Sequence, residues 1–457
     1  MLKIPTNGFK RLVENNLDSR FTVPSISSND IKEFKIGKSY FYTIINKTKF
    51  QIIYNQKNYS IYDILNAYFA KRIPLSNATT SFRNNFSYLN FFEPHRNNYH
   101  FIRLDIRSFF HSIDIEDIKK VFKPYFYNVY IDENKLQHIV DAFINLVTYE
   151  IPEDSLNVIK GKKEKRVLPM GFKTSPMISN VIFRQLDIQI QKLCSERNII
   201  YSRYADDMLF SSVKNNNYIH SDDFVKEIRV IIGQMKFKLN KHKMLKAKHT
   251  LSLNGYTIDS SNKELRLSNK KTSIIKKLIY KINEEKKAPD EILKKLFQYK
   301  IEWKFKPDIY IYEKYNIEQL LNKVVGYRSY LLSIVKFNKK YQCTEIKTID
   351  KYMVIINDLE EIIEQYRNEI VNLDKKIEKK KEDYNNGLLK SIDELSFTGW
   401  QKEILKNSGY LTLKSLKGVK EKHLYDTVKG IGKVKAKKIM ATVKQELLKL
   451  RIGRIGV

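Results

Sequence analysis

The chain has 457 residues, enough for two to four domains, one of them with a large core. Its 83 Lys and Arg against 51 Asp and Glu leave a net charge of +32, which points to a polyanionic partner, with nucleic acid ahead of an anionic membrane surface. No apolar run reaches the roughly 18 residues of a membrane span, and the opening MLKIPTNGFKRLVENN lacks a signal-peptide core, so a soluble, cytoplasmic protein without a membrane partner is expected.

In chain order, the first stretch that carries chemistry is YHFIRLDIRSFFHSID. Phe101, Ile102 and Leu104 form a short apolar strand that closes on Asp105, with Phe109 and Phe110 following. Alone, such a carboxylate reads equally well as a simple strand-end aspartate. Next comes VLPMGFKTSPMISNVIFRQLDIQIQKLC, where Gly171, after Met170, permits close backbone approach to a substrate. Ser175-Pro176 reads as a helix start with Ser as N-cap, and Ile178, Ile182, Leu186 and Ile190 recur every four residues as the buried face of a helix under a sheet.

The stretch YSRYADDMLFSS sets Asp206 and Asp207 side by side among Tyr201, Tyr204, Met208, Leu209 and Phe210, so the doublet reads as the tip of a hairpin between buried strands. Two buried like charges are tolerable only with a compensating cation, and a metal ion is the natural one. The chain supplies a control in IHSDDFVKE, where Asp222 and Asp223 sit among polar residues and read as a helix cap. Two-metal phosphoryl transfer needs carboxylates from separate strands around ions about 3.5–4 Å apart. Asp105 is the upstream carboxylate such a site requires.

Residues 261–345 are Lys-rich with helical periodicity and carry Trp303. Over 352–384, Tyr352, Ile355, Leu359, Ile362, Tyr366, Ile370, Leu373 and Ile377 alternate three and four apart, an amphipathic helix that either self-associates, meets a protein partner, or folds back on the preceding helices. Cys194 and Cys343 lack CxxC or Cys/His spacing and read as buried thiols.

Three segments in this order, LDIRSFF, LPMGFKTSPMISN and YADD, resemble the three palm motifs of reverse transcriptases. The resemblance covers roughly residues 30–260 and implies an α+β right-hand polymerase. Residues 1–100 would be N-terminal segment and fingers, 101–260 a palm with an antiparallel sheet and part of the fingers, 261–345 a helical thumb, and 346–389 a long connector. It implies two Mg²⁺ ions, with Mn²⁺ as a substitute, on Asp105 and Asp206, supported by Asp207 and the Ile106 carbonyl. Phe110 falls where the family sets a bulky side chain against the sugar 2′ position, so the product would be DNA. KFKLNKHKM resembles the lysine-bearing motif and makes Lys243 the proton donor to departing pyrophosphate. LSLNGYTID, with Gly255 at its turn, resembles the hairpin that grips the primer, and Tyr204 belongs to the same nucleic-acid track.

Two departures stand out. Met170 replaces the Gln that many relatives carry before the glycine of the second motif, and INKTKFQIIYN offers Lys47 and Lys49 to the triphosphate where relatives show a Gly turn and then Arg. TTSFRNNFSYLNFFEPHRNNYHFIRLDI resembles bacterial enzymes of the retron and antiphage-defence groups. Retrons show Asn-Ala-x-x-His and Val-Thr-Gly elements; here Asn90 precedes Phe91, His95 lies five after Asn90, and Leu253-Asn254-Gly255 replaces the second, which ranks the defence-associated and abortive-infection-like groups first. No Cys/His endonuclease pattern of group II intron enzymes is visible.

From residue 390 to 457, LYDTVKGIGKVKAKKIMATVKQEL resembles a helix-hairpin-helix element, and the tail as a whole resembles the helical C-terminal domain of the bacterial RNA polymerase alpha subunit. Gly430 and Gly432 would form a turn whose amides bind phosphate, with Lys433 and Lys435 adding charge. The expectation is an RNA-directed DNA polymerase that uses dNTPs and a DNA primer on a cognate non-coding RNA in antiphage defence. Alternatives are a retron enzyme making RNA-linked DNA, a template-independent or protein-primed polymerase, and a non-catalytic RNA-binding scaffold.

Overall fold

The computed structural model describes residues 34–36, 40–45, 49–54, 66, 69, 73–126, 128, 138–150, 166–170, 172–299, 303 and 307–450. The chain divides into two compact units, residues 1–268 with 337–345, and residues 269–336 with 346–457.

In the first unit the described strands are β1 (Phe34–Ile36), β2 (Tyr40–Ile45), β3 (Lys49–Tyr54), β4 (His100–Asp105), β5 (Tyr149–Glu150), β6 (Arg166–Val167), β7 (Ile199–Tyr204), β8 (Asp207–Ser212), β9 (Leu245–Lys248), β10 (Thr250–Leu253), β11 (Tyr256–Asp259) and β12 (Glu264–Leu267). They form antiparallel sheets in the orders β1-β2-β3, β7-β8-β4-β9, β10-β11-β12 and β5-β6. The four-stranded sheet is the scaffold of the site.

Alternation along its strands separates two faces. Ile102 and Leu104 of β4, with Met208 and Phe210 of β8, point to a core filled by Ile178, Ile182, Leu186 and Ile190 of helix Ser175–Glu196 and by Phe224, Ile228 and Ile232 of helix Asp222–Gly233. The four-residue recurrence therefore marks the helix face under the sheet, as the periodicity predicts. The opposite face carries Phe101, Arg103 and Asp105 of β4 beside Asp207, Leu209 and Ser211 of β8.

Helix starts differ in detail from the sequence reading. Thr174, not Ser175, is the residue before helix Ser175–Glu196; its side chain makes no capping bond, and Pro176 occupies the first turn. In the control doublet the cap is Ser221, which accepts from the Phe224 amide at 3.1 Å, while Asp222 and Asp223 lie in the first turn where the helix dipole favours them. The β10–β11 hairpin turns on Asn254 (φ +51°) and Gly255 (φ +88°), two successive left-handed residues that the twist of a two-residue hairpin requires. Residues 337–345 complete this unit: the Cys343 carbonyl accepts from the Leu265 amide at 2.7 Å, and the Thr344 hydroxyl donates to the Leu265 carbonyl at 2.6 Å. Cys194 and Cys343 are free and buried, and burial pushes the Cys194 thiol up to about 12.

The second unit is helical in its described residues: Asn269–Asn283, Pro289–Phe297, most of Ile309–Tyr341, and Ile346–Leu389. The two long helices run antiparallel, joined by Lys314–Asp374 at 2.5 Å, Arg328–Glu360 at 2.5 Å and Lys380–Asp308 at 2.7 Å. Tyr352, Ile355, Leu359, Ile362, Tyr366 and Leu373 are buried within the chain, so the stripe offered above for self-association folds back on its neighbours, while Ile370 is half-buried. At the C-terminus, helices Gly399–Asn407, Leu413–Leu416, Glu421–Thr427 and Lys433–Lys449 close around Leu405, Leu413, Leu424, Ile431, Ile439 and Val443. Among the described residues no helix is long and apolar enough to cross a membrane.

Candidate active site

The site is built where β4, β7 and β8 end together. Asp105 closes β4 and pairs with Asp207 at the start of β8, while Tyr204 closes β7 opposite the same Asp207. Ala205 and Asp206 form the intervening turn, with Ala205 at φ +55°, a conformation that costs a residue with a Cβ and persists because the surroundings fix it. The Ile106 amide donates to the Asp206 carbonyl at 2.9 Å, and the Asn240 amide donates to the Asp105 carbonyl at 2.7 Å. Backbone bonds thus bring the two acidic segments together although 101 positions (206 − 105) separate them.

Asp105 is 2% exposed, and Asp207 is buried. Arg103, two residues before Asp105 and on the same face, donates from Nη2 to Asp105 Oδ2 at 3.2 Å and to Asp207 Oδ1 in a shorter contact. Lys243 Nζ donates to Asp105 Oδ2 at 2.9 Å from the short turn Lys241–Lys243. Burial pushes the Asp207 carboxyl above its usual range; Arg103 pulls it down, and the neighbouring Asp206 and Asp105 push it up further. Among the described residues no three His, Cys, Asp or Glu side chains are grouped to hold a metal; Asp105 and Asp207 instead converge on the Arg103 guanidinium. The donor set is nonetheless one a hard divalent cation accepts: carboxylate oxygens from adjacent strand ends, already drawn toward one positive centre.

Behind the hairpin, on the core face, Arg203 and Asp187 are both 0% exposed and bonded at 2.9 Å and 2.7 Å. Asp187 also accepts from the Tyr201 hydroxyl at 2.7 Å and the Thr79 hydroxyl at 2.8 Å, and Arg203 donates to the Ala205 carbonyl at 2.9 Å. The Ser81 hydroxyl accepts from the Ala205 amide at 2.9 Å. The strained turn is therefore held from behind by helix Ser175–Glu196 and by residues 79–81.

In front, Tyr204 meets Tyr88 edge to face at 4.6 Å between ring centroids, and Tyr88 reaches Phe91 and Tyr256. Asn254 donates to the Tyr88 hydroxyl at 2.6 Å, which ties the Asn254-Gly255 turn to the acidic hairpin; burial pushes the Tyr88 phenol well above its ordinary value. Asn90 and His95 are accounted for by packing. Asn90 caps its own turn through the Ser87 amide and donates to the Tyr341 hydroxyl, and His95, fully buried, bonds Ser211 at 2.6 Å and Ser202 at 2.8 Å, linking β8 to β7.

Phe110 is half-buried at the start of helix Phe109–Ser112, edge to face with Phe109 at 5.4 Å. Met170 is half-buried in an isolated bridge; Gly171 and Lys47 lie outside the described residues, and Lys49 begins β3 with its side chain outside them. In the C-terminal module Gly430 turns at φ +91° and Gly432 caps helix Lys433–Lys449. Lys435 lies over the Trp400 ring at 5.5 Å and Lys433 over Tyr425 at 5.8 Å, two cations resting on exposed or half-exposed rings.

Sequence reasoning overlooked Arg103, Arg203, Asp187 and Tyr88. The signals were present: Arg103 alternates onto the Asp105 face of a strand, and Asp187 falls on the apolar side of its helix, four after Phe183 and three before Ile190.

Residues 42–258 match the profile of the family "Reverse transcriptase (RNA-dependent DNA polymerase)". Among curated proteins, the retron Ec83 reverse transcriptase of Escherichia coli is 26% identical over 56% of this chain and 71% of that enzyme. Retron Ec73 reverse transcriptase, also from Escherichia coli, is 28% identical over 41% of this chain and 56% of its own. Retron Mx162 reverse transcriptase of Myxococcus xanthus is 28% identical over 25% of this chain and 22% of its own. The telomerase of Candida albicans, solved with a fragment of telomeric RNA, aligns over 81% of this chain and 71% of its own at 12% identity, with a TM-score of 0.37 that leaves the fold to be read from its own elements. Those elements, an antiparallel sheet with carboxylates at the ends of its central strands, agree with the sequence match: residues 42–258 are similar to the reverse transcriptase (RNA-dependent DNA polymerase) family, and the curated relatives they resemble are retron enzymes of bacteria.

Proposed function

We propose that the chain copies a cognate non-coding RNA into DNA in antiphage defence, with Asp105, Asp206 and Asp207 as its catalytic carboxylates. The observation that carries the site is the pairing of Asp105 with Asp207 at adjacent strand ends, with Asp206 in the turn between β7 and β8. When bound, two Mg²⁺ ions would activate the attacking primer hydroxyl and neutralise charge on the leaving pyrophosphate. Asp105 and Asp206 would hold them with the Ile106 carbonyl, and Asp207 would support from beside Asp105. Lys243, which donates to Asp105, would protonate the leaving group. Phe110 would exclude a 2′-hydroxyl, with Met170 and Gly171 lining the nucleotide site and Lys47 and Lys49 meeting the triphosphate. Tyr204 and the Gly255 turn would track the primer.

Residues 261–345 would form the helical thumb, and Gly430, Gly432, Lys433 and Lys435 would bind phosphate in the C-terminal module. The relatives above are retron enzymes, which raises the retron reading over the order suggested by the imperfect Asn90–His95 and Leu253-Asn254-Gly255 elements. The test is to purify the full chain from its host, sequence the co-purified RNA and the DNA it makes, and repeat with Asp105→Asn and Asp206→Asn. Each variant should lose at least about a thousandfold in nucleotide addition, the several kcal/mol a metal clamp supplies. DNA complementary to a bound RNA supports the reading, and RNA covalently joined to it marks the retron form. DNA matching no bound RNA leaves the template-independent or protein-primed form, and synthesis undiminished in both variants would overturn the site.

A further inference from the structure

The acidic end of the sheet contains a cation of its own. Arg103 is only 13% exposed, and its guanidinium is used unevenly: Nη2 goes to Asp105 and Asp207, Nη1 donates to the Lys243 carbonyl at 3.0 Å, and Nε is buried with no hydrogen-bond partner. A buried donor left unmet is unfavourable, so the side chain is held here by the two carboxylates and not by complete hydrogen bonding. Its position follows from the pleat. Two residues before Asp105 on β4 it shares that face, and Leu209 and Leu245 stand opposite it on the flanking strands, leaving the strand ends as its only acidic neighbours among the described contacts. One nitrogen, Nη2, makes both carboxylate contacts while Nη1 is held by the Lys243 carbonyl, so a lysine would keep the charge and lose the second point of attachment.

We propose that Arg103 is a positioning residue that acts as resident counter-ion of the catalytic carboxylates. In the metal-free protein it holds Asp105 and Asp207 together, and it lowers the affinity of the site for a free divalent ion, so that metal is retained chiefly when a nucleoside triphosphate brings further oxygen ligands. This rests on reading Asp105, Asp206 and Asp207 as metal ligands. Like charges close together raise each other's cost, and a fixed positive charge between them relieves it; removing that charge leaves the carboxylates to recruit a replacement from solution.

The experiment measures Mn²⁺ binding to the nucleotide-free full-length protein by electron paramagnetic resonance, together with thermal midpoints in chelator and in Mn²⁺. Arg103→Met should bind Mn²⁺ about tenfold or more tightly than the native protein. Its midpoint should fall in chelator and recover with Mn²⁺, whereas the native midpoint should respond little. Arg103→Lys, which retains charge and is the fallback if the Met variant does not fold, should bind Mn²⁺ with intermediate affinity. Mn²⁺ affinity equal to native in the folded variants, or a midpoint lowered equally with and without Mn²⁺, would overturn the proposal. Asp206→Asn separates the two levels: if it keeps both native Mn²⁺ binding and synthesis, the metal-site reading itself fails, whereas a loss in Asp206→Asn with no gain in Arg103→Met sinks only the role of Arg103.

Discussion

Two Arg–Asp clusters lie on opposite faces of one sheet, and they are built to opposite ends. On the core face Arg203 and Asp187 are fully enclosed, and both Asp187 oxygens accept twice, from Arg203 and Tyr201 on one side and from Arg203 and Thr79 on the other. On the front face, Asp105 and Asp207 share Arg103, Asp105 also meets Lys243, the neighbouring Asp206 adds negative charge, and Lys243 is 48% exposed. A saturated buried pair has no capacity for another ligand and can only fix geometry. An acidic excess beside a half-exposed lysine can accept cations. Burial and saturation, rather than residue type, separate the anchor from the acidic end.

The sharpest way to break this contrast is to cut the anchor. Asp187→Ala leaves Arg203 buried without its counter-charge, and the expected cost is about 3–5 kcal/mol of stability, read from urea denaturation of the full chain. Pairing Asp187→Leu with Arg203→Met should recover much of that loss, because the unpaired charge, and not the missing contact, dominates it. A cost below about 1 kcal/mol for the single variant would mean that the site relaxes or admits water, and the hairpin would need another support.

What could be read from the sequence divides along the same line. The front face was legible because its residues break a local rule: acids at the end of an apolar strand and at a hairpin tip demand a cation. Helix Ser175–Glu196 was legible from its period, although the cap falls one residue earlier, since Thr174 and Ser175 both suit that place and local chemistry does not choose between them. The anchor was not legible because its members come from residue 79, residue 187 and residues 201–203, and each obeys or only mildly strains its own pattern; the constraint exists only after folding. The role of His95 was hidden for a related reason. Five after Asn90, it reads only as an imperfect match to a subgroup element, and its two ring nitrogens find Ser202 and Ser211 after folding.

That histidine provides the next test, smaller in effect. Burial lowers its pKa to about 3 from an ordinary 6.5, so the native state keeps it neutral while the unfolded chain takes up a proton. Stability is unaffected by this group above pH 6.5 and is lost as pH falls from 6.5 toward 3; the loss at pH 5 amounts to about 2 kcal/mol. The raised Asp207 carboxyl works in the opposite sense, since there the native state binds the proton more readily. Comparing urea midpoints at pH 7 and pH 5 for the native chain and for His95→Gln isolates the histidine. The native chain should lose more stability than the variant over that interval, and equal losses would place the acid sensitivity elsewhere.

The smallest change in stability is expected at Lys243, and it sharpens the comparison because activity should respond far more strongly than stability. Its ion pair with Asp105 is half open to water, so Lys243→Ala should shift stability by less than about 1 kcal/mol. If the lysine supplies the proton to departing pyrophosphate, single-turnover nucleotide addition should nevertheless fall about a hundredfold or more. Lys243→Arg separates charge from proton donation, since a guanidinium keeps the ion pair but releases its proton far less readily. Near-native rates in the Arg variant would reduce Lys243 to a counter-charge for Asp105 like Arg103. A stability loss in Lys243→Ala as large as that of Asp187→Ala would erase the distinction between the two faces, because an exposed pair would then hold the fold as firmly as an enclosed one.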